Sequence, residues 1–239
     1  MADEKLPFTA HLAELRTRLI RSSIAVAVGF IVSYAFVEKI FGFLMRPVLQ
    51  AMPPGSPLVF TTITEGFFTY FKLSMLSGVV LASPVLLYQL WRFVSPGLME
   101  HEKRYALPFA IAVTSFFVLG AAFCYYVVFP SIFRFLMGFS SDIVRPMPSM
   151  REYLAFSSKM LLIFGLIFEY PPLVFFLAKV GMLKGVWLAK QRRYAIILIF
   201  ILSAVITPPD VVSQILMAIP MMALYEVGIV IAKVFGKKE

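Results

Sequence analysis

LSMLSGVVLASPVLLYQLW, residues 73–91, runs for nineteen residues without a charged side chain. At ~1.5 Å of rise per residue, a helix of that length crosses a hydrocarbon layer of ~30 Å. Residues 105–133, YALPFAIAVTSFFVLGAAFCYYVVFPSIF, offer a longer uncharged run of the same kind. The chain as a whole agrees: of its 239 residues 60% are hydrophobic and only 15% charged, and the mean hydropathy is +0.87. A soluble domain of this length can bury a sizeable core but has no need of such stretches, so the chain reads as an integral membrane protein.

Cutting the sequence at its charge and proline clusters gives six spans, at residues 20–37, 68–91, 105–134, 154–178, 194–207 and 211–232. No internal repeat is visible. The expected fold is all-α and polytopic, one six-helix transmembrane domain over residues 1–239. Net charge +9 and a pI near 9.7 would suggest nucleic acid in a soluble protein. In a membrane protein the excess reports topology, and no nucleic-acid partner is expected. Of the 22 Lys and Arg residues, fifteen fall on the side holding both termini and the loops at 92–104 and 179–193. That side is expected to be the cytoplasm. Residues 1–19 are too polar for a cleavable signal peptide, so the first helix is expected to stay as an anchor.

The fifth span is short: 194–207 gives about 14 residues, ~21 Å of helix, before Pro208 and Pro209 stop it. Either the bilayer thins locally or neighbouring helices shield the mismatch. Asp210 is placed to cap the sixth helix. Gln214, one turn further in, is a candidate helix-to-helix contact, because an amide in hydrocarbon seeks a partner. On the outward side, the stretch from Glu38 to Gly66 predicts a short interfacial helix followed by a turn at Pro53, Pro54, Gly55 and Pro57.

Glu169 lies near the middle of the fourth span, in FEYPP at 168–172. A charged, unpaired carboxylate there costs at least ~2.5 kcal/mol, so it must be protonated, hydrogen-bonded or facing a wet cavity. The paired prolines remove two backbone donors at the same level. Glu169 is therefore either a functional intramembrane acid or a neutral one bonded to a neighbouring helix.

Two motifs flank the cytoplasmic ends. HLAELRTRL at 11–19 places Leu12, Leu15 and Leu19 on one helical face and His11, Glu14 and Arg18 on another, an amphipathic helix leading into the membrane. Glu14 and Arg18 stand at i and i+4, so a solvated pair contributing ~0.3–0.5 kcal/mol would account for both without a function. YQLWRFVSPGLMEHEKR at 88–104 leaves the second span through an aromatic rim of Trp91 and Phe93, turns at Pro96 and Gly97, and sets Glu102 among His101, Lys103 and Arg104. Glu102 too is either a host for a cation or a neutralised surface charge.

Taken together, HLAELRTRL, YQLWRFVSPGLMEHEKR, FEYPP and TPPDVVSQILMAIPMMALYE at 207–226 resemble the TatC family, the multispanning receptor of the twin-arginine protein translocase, over essentially the whole chain. The resemblance implies recognition of twin-arginine signal peptides on folded cargo proteins at the cytoplasmic face of a bacterial-type inner membrane. It assigns signal-peptide binding to Glu14 and Glu102, with Arg16 and Phe93 at neighbouring family positions. It also implies a multimeric complex with TatA/TatB-type single-span subunits through spans five and six, where Ala204 and Gln214 are the candidate contacts, in a setting of membrane lipids. Planar guanidinium suits bidentate carboxylate pairing, which lysine cannot reproduce, so two carboxylates could read two arginines.

A proton-coupled secondary transporter using Glu169 is the alternative, disfavoured by the scarcity of intramembrane polar residues and the missing repeat. An enzyme is less expected still: there is no HExxH metal motif and no serine-nucleophile signature. Cys124 stands alone, so no disulfide or thiolate metal site is available and no cofactor is expected.

Overall fold

Backbone polar groups facing lipid must be satisfied within the chain, and helices do this segment by segment. The computed structural model describes residues 8–53, 58–59, 62–94, 106–139, 147–207 and 209–236, and every regular element among them is helical. In chain order these are α1 (Phe8–Ala35), α2 (Val37–Ala51), α3 (Glu65–Val94), α4 (Ala106–Phe123), a π turn (Cys124–Val128) and α5 (Phe129–Met137). They continue as α6 (Met150–Phe168), α7 (Tyr170–Val180), α8 (Gly185–Lys190), α9 (Arg192–Ile206) and α10 (Val211–Phe235).

Among the described residues, five segments are long and apolar enough to cross a membrane: Leu12–Ala35, Glu65–Leu90, Ile111–Met137, Met150–Val180 and Val211–Phe235. The remaining expected span is α9, whose 15 residues make only ~22 Å of helix. The fold is all-α and polytopic, with six membrane helices and a short fifth one. Packing divides the chain into two compact units, one of Met1–Phe41 and Tyr70–Ser115, the other of Gly42–Thr69 and Phe116–Glu239.

In the first unit, α1 and α3 meet backbone to backbone. A Cβ on Gly29 would stand 2.5 Å from the Gly78 carbonyl oxygen, so only glycine permits the approach, the small-residue packing usual between membrane helices. Phe30 closes the contact with its ring 5.2 Å from that of Phe71, edge to face. α3 runs through Pro84 unbroken. Proline leaves the carbonyl four residues earlier without a donor, and the Ser83 hydroxyl supplies one to Val80 at 2.7 Å.

The second unit handles its prolines in other ways. Pro47 in α2 deprives the Phe43 carbonyl of its helical partner, and Tyr125 donates its hydroxyl there at 2.6 Å. Its ring stacks on that of Phe43, centroids 4.3 Å apart. One carbonyl further on, Tyr153 donates to Leu44 at 2.6 Å. These bonds tie α2, which buries Leu44, Met45 and Val48, to the third and fourth spans.

Two features depart from uniform spans. The third is interrupted by the π turn, where the Phe129 amide donates to Cys124, five residues back. Pro130 is the physical reason: its ring would collide with the Tyr126 carbonyl in a regular turn, and the wider turn relieves that. The fourth span breaks between α6 and α7 at Glu169, with Pro171 and Pro172 in the first turn of α7, where a missing amide costs no helical bond.

α7, α8 and α10 pack around Val174, Ala178, Leu188, Ile229 and Ala232. Tyr170 stacks on Tyr225, whose hydroxyl donates to the Leu188 carbonyl at 2.8 Å. α9, by contrast, buries only Ile199 and Ser203.

Candidate functional site

The N-terminal motif forms the first turns of α1. Arg18 donates to Glu14 Oε1 through two nitrogens, at 2.8 and 3.3 Å, and its remaining terminal nitrogen donates to Gln89 Oε1 at 3.0 Å. The intrahelical pair expected from spacing is thus part of a three-residue network that crosses to α3. The side chains of Arg18 and Glu14 are only 14% and 22% exposed, which sets this pair apart from a freely solvated one. Both bonds from Arg18 to Glu14 end on the same oxygen. Among the described residues, Glu14 Oε2 has no hydrogen-bond donor.

Phe93, half-buried, follows Gln89 by four residues and continues the same face of α3 one turn on. Arg16 is exposed on α1. Glu102 and the surrounding His101, Lys103 and Arg104 lie outside the described residues, as do the turn at Pro96 and Gly97, the cluster Pro54, Gly55 and Pro57, Pro208, and the side chains of His11 and Trp91. No group of His, Cys, Asp or Glu suited to a metal ion occurs among the described residues.

Inside the membrane, Glu169 occupies the break between α6 and α7, with both carboxyl oxygens buried and without a hydrogen-bond partner among the described residues. Gln214 donates its amide to the Phe200 carbonyl at 3.0 Å, joining α10 to α9. Asp210 caps α10 by accepting from the Ser213 amide at 2.6 Å. Ala204 is exposed near the end of α9. Lys159, from α6, donates to the Val205 carbonyl at 2.7 Å, setting a cation at the negative end of the short helix. The exposed Arg192–Glu226 pair, 2.7 Å, links the N-terminal end of α9 to α10.

Glu65 is the polar residue that sequence inspection passed over. It is 3% exposed; its Oε1 accepts from the Ser149 hydroxyl and the Arg151 amide, each at 2.8 Å, and its Oε2 from the Thr62 amide at 3.3 Å. Glu65 begins α3 and Arg151 lies in the first turn of α6, so two positive helix ends converge on one carboxylate. Beside it, Met150 donates its amide to Val59 at 3.2 Å, clasping the two connecting segments together. The signal available in sequence was an acid at a helix start, an ordinary feature of first turns that marks no burial.

Residues 10–220 match the family described as Sec-independent protein translocase protein (TatC). The chain belongs to the TatC family. Among its TatC relatives, the protein of Desulforapulum autotrophicum is 54% identical over 237 residues, 99% of this chain and 88% of the relative. That of Aquifex aeolicus is 39% identical, over 98% of each chain. A crystal structure of the twin-arginine translocase receptor TatC superimposes with a TM-score of 0.83 at 39% identity, covering 93% of this chain and 97% of the other. TatC is a non-enzymatic component of a protein translocase, which favours protein transport over a small-molecule transporter. As a TatC protein with several apolar spans, the chain is a multi-pass membrane protein.

Proposed function

We propose that this chain is the receptor and core subunit of a twin-arginine translocase, binding the signal peptides of folded cargo through Glu14 and Glu102. The observation that carries the proposal is the state of Glu14: half-buried, fixed in place by Arg18, and with one carboxylate oxygen that has no donor among the described residues. A guanidinium arriving there meets an acceptor already positioned and partly stripped of water. Fully exposed pairs contribute only ~0–1 kcal/mol, so that shielding is what makes arginine recognition worthwhile. Phe93, one turn beyond Gln89 on α3, offers an apolar ring at the end of the network, and Arg16, two residues before Arg18, is exposed on the same helix.

The receptor works with both termini in the cytoplasm of a bacterial-type inner membrane, the orientation favoured by the distribution of basic residues. TatA/TatB-type single-span subunits dock on spans five and six, at Ala204 and Gln214. The exposure of α9 supports this assignment, as does the Gln214 side-chain oxygen, which accepts no bond among the described residues. Glu169, whose two buried oxygens have no hydrogen-bond partner among the described residues, is suited to a polar group offered by such a partner.

Site-specific photocrosslinking tests the receptor role. Photoreactive residues placed beside Glu14, Phe93 and Glu102 should capture a twin-arginine signal peptide, and Glu102→Ala should abolish capture. Undiminished capture by the Glu14→Ala, Glu102→Ala double variant would overturn the assignment.

A further inference from the structure

Within the first unit a groove of about 680 Å³ runs along α1 and α3, lined by Ser22, Ser23, Val26, Ala27, Phe30 and Ile31 from α1, and by Phe71, Met75 and Leu86 from α3. Its size falls among those of ligand pockets, roughly 300–1,000 Å³. Apart from the two serines, its walls are apolar. From Ser22 to Ile31 it follows α1 for ~14 Å at 1.5 Å per residue.

Helical phase tells what belongs there. Arg16 precedes Ser23 by seven residues, two turns of helix, so it projects from the groove's own side of α1, ~10 Å beyond its serine end. Glu14 precedes Ser23 by nine residues, half a turn out of phase, and projects from the opposite side. The charge over the groove is therefore a cation, and Arg16 is exposed with no ion-pair partner among the described residues. A cationic twin-arginine segment would be repelled at this end, whereas a phosphate would be attracted.

We propose that the groove holds an acyl chain of an anionic phospholipid whose phosphate pairs with Arg16. The lipid belongs to the leaflet at the N-terminal end of α1; the apolar trough takes the chain, the serines lie at its polar end, and the guanidinium takes the headgroup. The site goes beyond the receptor role and needs only that the chain is embedded in a membrane.

Native mass spectrometry of the full chain in detergent, supplied with phosphatidylglycerol or phosphatidylcholine, tests this. The wild type should retain phosphatidylglycerol in preference. Arg16→Gln should lower that preference about fivefold, equivalent to ~1 kcal/mol for one cation at the surface. Ala27→Phe puts a ring into the groove from an exposed position and should remove the retained lipid, while Val28→Phe, exposed outside the groove, should not. In an otherwise wild-type chain, a photoreactive residue at Ala27 should form phosphatidylglycerol adducts. Equal retention of both lipids, retention unchanged by Ala27→Phe, or capture of a twin-arginine peptide instead of lipid at Ala27 would overturn the proposal.

Discussion

Arg18 and Glu14 form a pair in which both hydrogen bonds, at 2.8 and 3.3 Å, reach one carboxylate oxygen, while the third arm of the guanidinium is anchored on Gln89. A plain i,i+4 pair can swing with its side chains. This one is fixed by a residue on another helix, so the direction of the second oxygen is fixed as well.

That anchoring is measurable. Gln89→Leu should leave the intrahelical pair intact but remove a hydrogen bond to a charged group, lowering stability by ~1.5–3 kcal/mol. Denaturant unfolding in detergent micelles would read the change. An effect within ~0.5 kcal/mol, typical of an inert surface substitution, would show that the bond to α3 does not matter.

Tyr125 and Pro47 should be energetically coupled although no bond joins them. With Pro47 present, Tyr125→Phe strands the Phe43 carbonyl and should cost ~1–3 kcal/mol. With Pro47→Ala, the new amide can serve that carbonyl, and the same Tyr125→Phe change should cost markedly less. A double-mutant cycle gives the coupling directly, and additive effects would contradict the role given to the tyrosine.

Two glycines on the first two helices should respond in opposite directions. Gly29→Ala drives a Cβ into the Gly78 backbone and should destabilise by ~1–3 kcal/mol or more, because backbone cannot step aside as a side chain can. Gly42→Ala meets nothing within 4 Å and should be neutral or stabilising by up to ~1 kcal/mol through helix propensity. Thermal unfolding of the two variants side by side checks the sign of each.

The spans were legible because hydropathy along a membrane helix accumulates over some twenty residues, and even the short α9 was bracketed by Pro208 and Pro209 at one end. Details set by a single carbonyl were not. Pro130 signals a missing amide, but whether the chain responds with a kink, a borrowed hydroxyl as at Pro84, or a π turn depends on what packs beside it. Glu14 and Arg18 were found by spacing, yet Gln89 lies 71 residues from Arg18, beyond the reach of any local pattern. Glu65 was passed over for a related reason: its partners Ser149 and Arg151 come from a distant segment, and nothing near it in sequence marks it as buried. Glu169 stood out because a carboxylate amid apolar residues is conspicuous in sequence alone.

The receptor role rests on arginine being told from lysine at Glu14 and Glu102. The direct measurement is the affinity of the purified full chain for a twin-arginine signal peptide and for its twin-lysine counterpart, in the wild type and in the Glu14→Gln, Glu102→Gln double variant. The wild type should favour the arginine peptide by about tenfold or more, ~1.4 kcal/mol, and the double variant should bind both peptides weakly and alike. A double variant that still prefers arginine by the wild-type margin would place recognition elsewhere and contradict the account.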